Sequence, residues 1–78
     1  MSVTARLFAA AAEAVGAHEV TLEAHDVAAL RAALGAMDES AAPVIGQCAV
    51  LEDGVRRDDS HALAGGARVD VLPPFAGG

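Results

Sequence analysis

An α+β fold, with a mixed β-sheet packed against one main helix, is predicted from three observations on this 78-residue sequence. Period-2 alternation of apolar and polar residues recurs near both ends, over residues 3–8 and 68–72. Between them lies one stretch with sustained helical spacing, residues 27–35, and after it an Asp53-Gly54 turn joining two further strand-like runs. Strands and helices that interleave in this way pack as a sheet covered on one face.

Each element follows from local chemistry. In residues 3–8, Val3, Ala5 and Leu7 fall on one side and Thr4, Arg6 and Phe8 on the other, the pattern of a half-buried strand. The alanine run with Glu13 over residues 9–15 favours a short helix closed by Gly16 as a left-handed cap. Val20 and Leu22 then alternate with Glu19, Thr21 and Glu23, which reads as an antiparallel partner strand over residues 18–24. Asp26 stands where an N-cap side chain accepts from the next amides, ahead of Val27, Leu30, Ala33 and Leu34 on one helical face. Residues 37–46, punctuated by Pro43 and Gly46, read as a loop with at most one helical turn. Residues 48–51 and 55–57 form a hairpin about Asp53-Gly54, because a two-residue turn demands positive φ at both central positions. Gly65-Gly66 marks a second turn before the last strand, which alternates Val69 and Val71 with Arg68 and Asp70 and ends at Pro73.

A chain of this length supports one core. The hydrophobic fraction is 54%, with Phe8 and Phe75 as the only aromatic residues, so Val, Leu, Ile and Ala must fill it. A formal charge of −6, with five arginines and no lysine, argues against nucleic acid as a partner, since phosphate-backbone binders cluster cations to displace counterions. No stretch approaches the roughly 18 apolar residues of a membrane span. The apolar run near the N-terminus stops at Glu13 with one cation ahead of it, so a secretory signal is not expected. A lone cysteine precludes an internal disulfide, and the expected compartment is the cytoplasm.

The side chains that tempt a chemical reading have plainer ones. Cys48 is expected in an apolar strand with no cation beside it, hence as packing rather than as a reactive thiol. His18, His25 and His61 lack the spacing of a metal site and are read as surface or capping residues. Arg56-Arg57 followed by Asp58-Asp59 reads as a solvated turn rather than a docking patch. Phe8 belongs either under a helix or on a partner surface. No G-x-x-x-x-G-K-[ST] loop is present, so the chain is not expected to bind ATP or to be an enzyme itself.

The end of the chain is different. Residues 72–78 read Leu-Pro-Pro-Phe-Ala-Gly-Gly, and together with the opening strand, the Val27-Ala28-Ala29-Leu30 helix, the Asp53-Gly54 hairpin and the Gly65-Gly66-Ala67-Arg68-Val69 approach, they resemble the MoaD/ThiS family of sulfur carriers. The tail looks most like that of its MoaD branch, the small subunit of molybdopterin synthase. Phe75 departs from the smaller aliphatic residue expected there. The resemblance implies a ubiquitin-like β-grasp domain over residues 1–72 and an extended tail over residues 73–78. It also implies that Gly78 is the reacting group. An E1-like adenylating enzyme (MoeB/ThiF-like) would use ATP and Mg²⁺ to convert the Gly78 carboxylate to an acyl-adenylate. A sulfur donor would then turn this into a thiocarboxylate, and a large synthase subunit (MoaE-like) would receive the sulfur.

Physical chemistry fits those roles. Pro73 and Pro74 lack backbone donors and hold φ near −65°, favouring a stiff arm. Six residues at about 3.3 Å each reach roughly 20 Å into a partner. Gly77 and Gly78 carry no Cβ and suit a narrow channel, while Pro73, Pro74, Phe75 and Ala76 complete the partner-binding segment. Three alternatives stay open: a carrier for thiamin, cysteine or natural-product synthesis, a ubiquitin-like modifier joined to target lysines, and a plain interaction domain with an incidental glycine end.

Overall fold

The computed structural model describes residues 2–74. In chain order these form β1 (Ser2–Leu7), α1 (Ala10–Val15), β2 (Glu19–Glu23), α2 (Val27–Gly35), α3 (Ala41–Gln47), β3 (Ala49–Glu52), β4 (Val55–Arg57) and β5 (Arg68–Leu72). The five strands make one sheet in the order β2-β1-β5-β3-β4. β5 runs parallel to β1 and antiparallel to β3, while β1–β2 and β3–β4 are antiparallel, so the sheet is mixed as expected.

Register aligns the apolar positions. Ala5 lies between Val20 on β2 and Val69 on β5, and Val71 lies between Leu7 on β1 and Val50 on β3. Val3, Ala5, Leu7, Val50, Val69 and Val71 are all buried, on the face where Val27, Leu30 and Leu34 of α2 join the same core. Leu30 is fully enclosed, and truncation to Ala at such a site removes about 2–5 kcal/mol. Asp26 caps α2 as its position implies, Oδ1 accepting from the Ala29 amide at 2.7 Å.

Local turn chemistry holds elsewhere. Gly16 closes α1 at φ 87°. Asp53 and Gly54 have φ 53° and 76°, the pair of left-handed residues that a tight hairpin with right-handed strand twist requires.

Three expectations are corrected. The 37–46 segment contains a full element, α3, which runs on to Gln47. Pro43 is its third residue, inside the first turn where the missing N–H has no intrahelical partner to lose. Cys48 is not in a strand but caps α3, and β3 begins after it. β1 ends at Leu7, one residue short of the expected Phe8, because Ala9 turns the chain with φ 50°; the Phe8 amide still gives β5 its last bond from this side.

Candidate functional site

β5 is the central strand, and its C-terminal end decides where the rest of the chain leaves the domain. Leu72 pairs with Ala49 at the start of β3, and on the other side the Phe8 amide donates to the Val71 carbonyl at 3.2 Å. The strand is therefore anchored up to its last residue on the β3 flank and up to Val71 on the β1 flank. Pro73 follows as a buried residue and Pro74 as an exposed one. Together they line a groove of about 160 Å³ whose other walls are Ala10 from α1 and Pro43, Val44 and Gln47 from α3. A mid-sheet exit seated against two helices gives the following residues a fixed origin.

Pro73 and Pro74 are thus brought together at one end of the sheet. Phe75, Ala76, Gly77 and Gly78, the remainder of the predicted site, lie outside the described residues.

The other candidates resolve by geometry. Cys48 is buried, and its thiol donates to the Val44 carbonyl at 3.2 Å. Contrary to expectation a cation stands nearby: Arg31 Nη1 donates to the Cys48 carbonyl at 2.7 Å. Burial nevertheless outweighs that charge and pushes the thiol above its ordinary value, leaving a poor nucleophile at neutral pH. Phe8 remains 36% exposed, with the Arg6 guanidinium 5.5 Å from its ring centroid. Asp58 and Asp59 bond away from the adjacent arginines, Asp58 accepting from the Ser60 amide and hydroxyl and Asp59 from Arg31 Nε at 2.7 Å.

Two polar constellations have no signal in the sequence. His61 Nε2 lies 2.8 Å from Glu52 Oε1, joining the end of β3 to the loop before β5. Arg31 reaches backbone carbonyls at positions 45 and 48, and no spacing rule connects a helix residue to carbonyls 14 and 17 positions away. Among the described residues, no group of three or more His, Cys, Asp or Glu side chains could hold a metal ion. Nor is any described helix long and apolar enough to cross a membrane.

A protein-family model described as the ThiS family matches residues 5–78. The chain belongs to the ThiS family.

Solved structures agree with that placement. Over the full length of both chains, this ThiS-family protein is 27% identical to small archaeal modifier protein 1 (SAMP1) from Haloferax volcanii, with a TM-score of 0.81. At 28% identity and a TM-score of 0.73, again over the whole of both chains, it is similar to a chain in the complex of subunits 1 and 2 of molybdopterin-converting factor from Helicobacter pylori 26695. A putative molybdopterin converting factor, subunit 1, from Pyrococcus furiosus has a TM-score of 0.84 over 95% of this chain and 98% of its own, and at 19% identity it bears on the fold alone. The search of curated proteins gave no match. The fold is the ubiquitin-like β-grasp, and the chain is a ThiS/MoaD-like small sulfur carrier or ubiquitin-like modifier.

Proposed function

We propose that this ThiS-family protein carries sulfur as a thiocarboxylate on Gly78 and delivers it in molybdopterin synthesis, as the small subunit of a molybdopterin synthase. The observation that carries the reading is the seat of the chain's exit. The central strand is pinned through Leu72, Pro73 is buried in the groove, and the sequence beyond it ends in Gly77-Gly78. Similarity to the Helicobacter pylori molybdopterin-converting factor supports the choice of pathway.

The chemistry divides between this chain and its partners. An E1-like adenylating enzyme binds ATP and Mg²⁺; the Gly78 carboxylate attacks the α-phosphate and pyrophosphate leaves, giving an acyl-adenylate. Sulfide sulfur from a donor then displaces AMP, and the product is the thiocarboxylate. The domain supplies recognition and a fixed origin for the arm, while catalytic groups come from the activating enzyme and from a large synthase subunit. The cytoplasm is the compartment proposed for this exchange.

The test is to incubate the protein with an activating enzyme of this class, ATP, Mg²⁺ and a sulfur donor, then take an intact mass and sequence the C-terminal peptide. The expected product gains the mass of one oxygen replaced by sulfur, and the gain disappears when Gly78 is deleted. An unchanged mass beside a competent activating enzyme overturns the reading. Similarity to small archaeal modifier protein 1 motivates a second reading, a modifier joined through Gly78 to target lysines, and conjugates of higher mass would decide for it.

A further inference from the structure

The guanidinium of Arg31 joins three segments that are remote in sequence. From α2, Nη1 donates to the carbonyls of Ile45 at 2.8 Å and Cys48 at 2.7 Å, and Nε donates to Asp59 Oδ1 at 2.7 Å. The Arg31 side chain is 19% exposed and its two carbonyl bonds are partly buried, whereas the bond to Asp59, whose side chain is 64% exposed, lies at the surface. The Ile45 carbonyl, in the last turn of α3, also accepts from the Cys48 amide at 3.1 Å, and it lies at the negative end of the helix dipole, where a cation brought from another helix is favourable; the Cys48 carbonyl, on the extended residue that caps α3, takes the second bond from the same nitrogen.

Both bonded carbonyls lie one short step from the exit of the chain. α3, ending at Gln47, presents Pro43, Val44 and Gln47 to the groove that Pro73 and Pro74 line. Cys48 leads directly into β3, whose first residue Ala49 pairs with Leu72, the residue before Pro73. From one side chain, two structural routes converge on Pro73, one through the groove wall and one through the end of the sheet.

We propose that Arg31 is a positioning residue for the C-terminal segment: by locking the end of α3 and the start of β3 it fixes the seat of Pro73, and so the direction in which the chain is offered to its activating enzyme. The functional part of this inference rests on the sulfur-carrier reading; the structural part does not. Arginine is specific to the task, because two carbonyls and a carboxylate are met by a planar fork and not by the single ammonium of lysine. Arg31→Lys should therefore restore the arrangement only in part.

Wild type, Arg31→Met, Arg31→Lys and a control, Leu22→Ala, are compared at a temperature where each is folded. Leu22 pairs with Val3 at the far end of the sheet, so its truncation loosens the domain without touching the exit. In Arg31→Met the carbon shifts of Val44 and Pro73 are expected to move and the Leu72 amide to exchange faster, with Arg31→Lys intermediate and Leu22→Ala like wild type at these sites. In carrier-dependent adenylation, Arg31→Met should raise KM for the carrier about tenfold with kcat nearly unchanged, a modest loss for a misplacement near 1 Å. Native shifts at Val44 and Pro73 in Arg31→Met overturn the proposal, as does a KM defect that follows stability equally in Leu22→Ala. Shifts that move with an unaltered KM overturn its functional half. Should Arg31→Met fail to fold, Arg31→Lys carries both readouts, and no change in either overturns it. A wild-type chain that is never adenylated instead sinks the carrier reading, a result the shifts of Val44 and Pro73 keep separate.

Discussion

Ala9 adopts φ 50° and ψ −125°, a backbone conformation natural to glycine and strained for any residue with a Cβ. It stands between Phe8, whose amide holds β5, and Ala10, which lines the groove, so the strained turn serves the exit of the chain. Ala9→Gly should relieve about 1–3 kcal/mol of strain while losing about 0.5–1 kcal/mol to backbone entropy, for a net gain of about 1 kcal/mol. Urea unfolding checks the sign, which is opposite to that of most alanine-to-glycine changes. Cys48 gives a second residue-scale prediction: with the thiol buried and its ionisation pushed up, alkylation by iodoacetamide at pH 8 should be slow in the folded protein and fast in denaturant. Fast labelling of the native state would contradict the burial. What could be read from sequence at this scale was whatever depends on near neighbours: the Asp26 cap, the Gly16 stop and the Asp53-Gly54 turn each act within four positions. Ala9, Arg31 and the His61–Glu52 pair were illegible because the packing that demands them comes from distant parts of the chain.

The two glycines of the paired helices do different work. Gly35 ends α2 beside α3, and a Cβ built on it would lie 3.2 Å from the Ala42 Cα and 3.3 Å from its Cβ, tighter than ordinary contact. Gly46 is exposed in α3, with nothing within 4 Å of the corresponding position. The same substitution should therefore act in opposite directions. Gly46→Ala is expected to stabilise by about 1 kcal/mol through helix propensity, whereas Gly35→Ala must push α2 and α3 apart and destabilise. Thermal melts of the two variants test this, since about 1 kcal/mol moves Tm by roughly 4–8 °C in a domain of this size. The contrast also explains why α3 escaped sequence reading. Proline and glycine within seven residues signal a break, but the proline occupies the first turn and the glycine the last, where neither disrupts an internal hydrogen bond that the helix needs.

The sheet places the first and last strands side by side in parallel at its centre, with β2 and β4 as its edges, so the exit of β5 inherits the rigidity of the core. That relation was legible as a fold through the resemblance of the whole chain, but not as a position, because strand order arises from long-range pairing. At the surface of the domain lie two exposed Asx-type turns built alike. Asp38 accepts from the Ser40 amide and hydroxyl, and Asp58 from the Ser60 hydroxyl and amide. These bonds favour the ionised carboxylates and hold both groups below the ordinary aspartate value of 3.8. The unfolded chain, lacking them, binds more protons in that range, so stability rises with pH there. The contribution is fully present above pH 3.8 and is lost as pH falls through the folded-state values. In an Asp38→Asn, Asp58→Asn double variant, urea midpoints measured from pH 6 downward should fall less steeply below about pH 4 than in wild type. Parallel curves for the two proteins would show that neither turn is coupled to global unfolding, and that acid acts on this domain through other carboxylates.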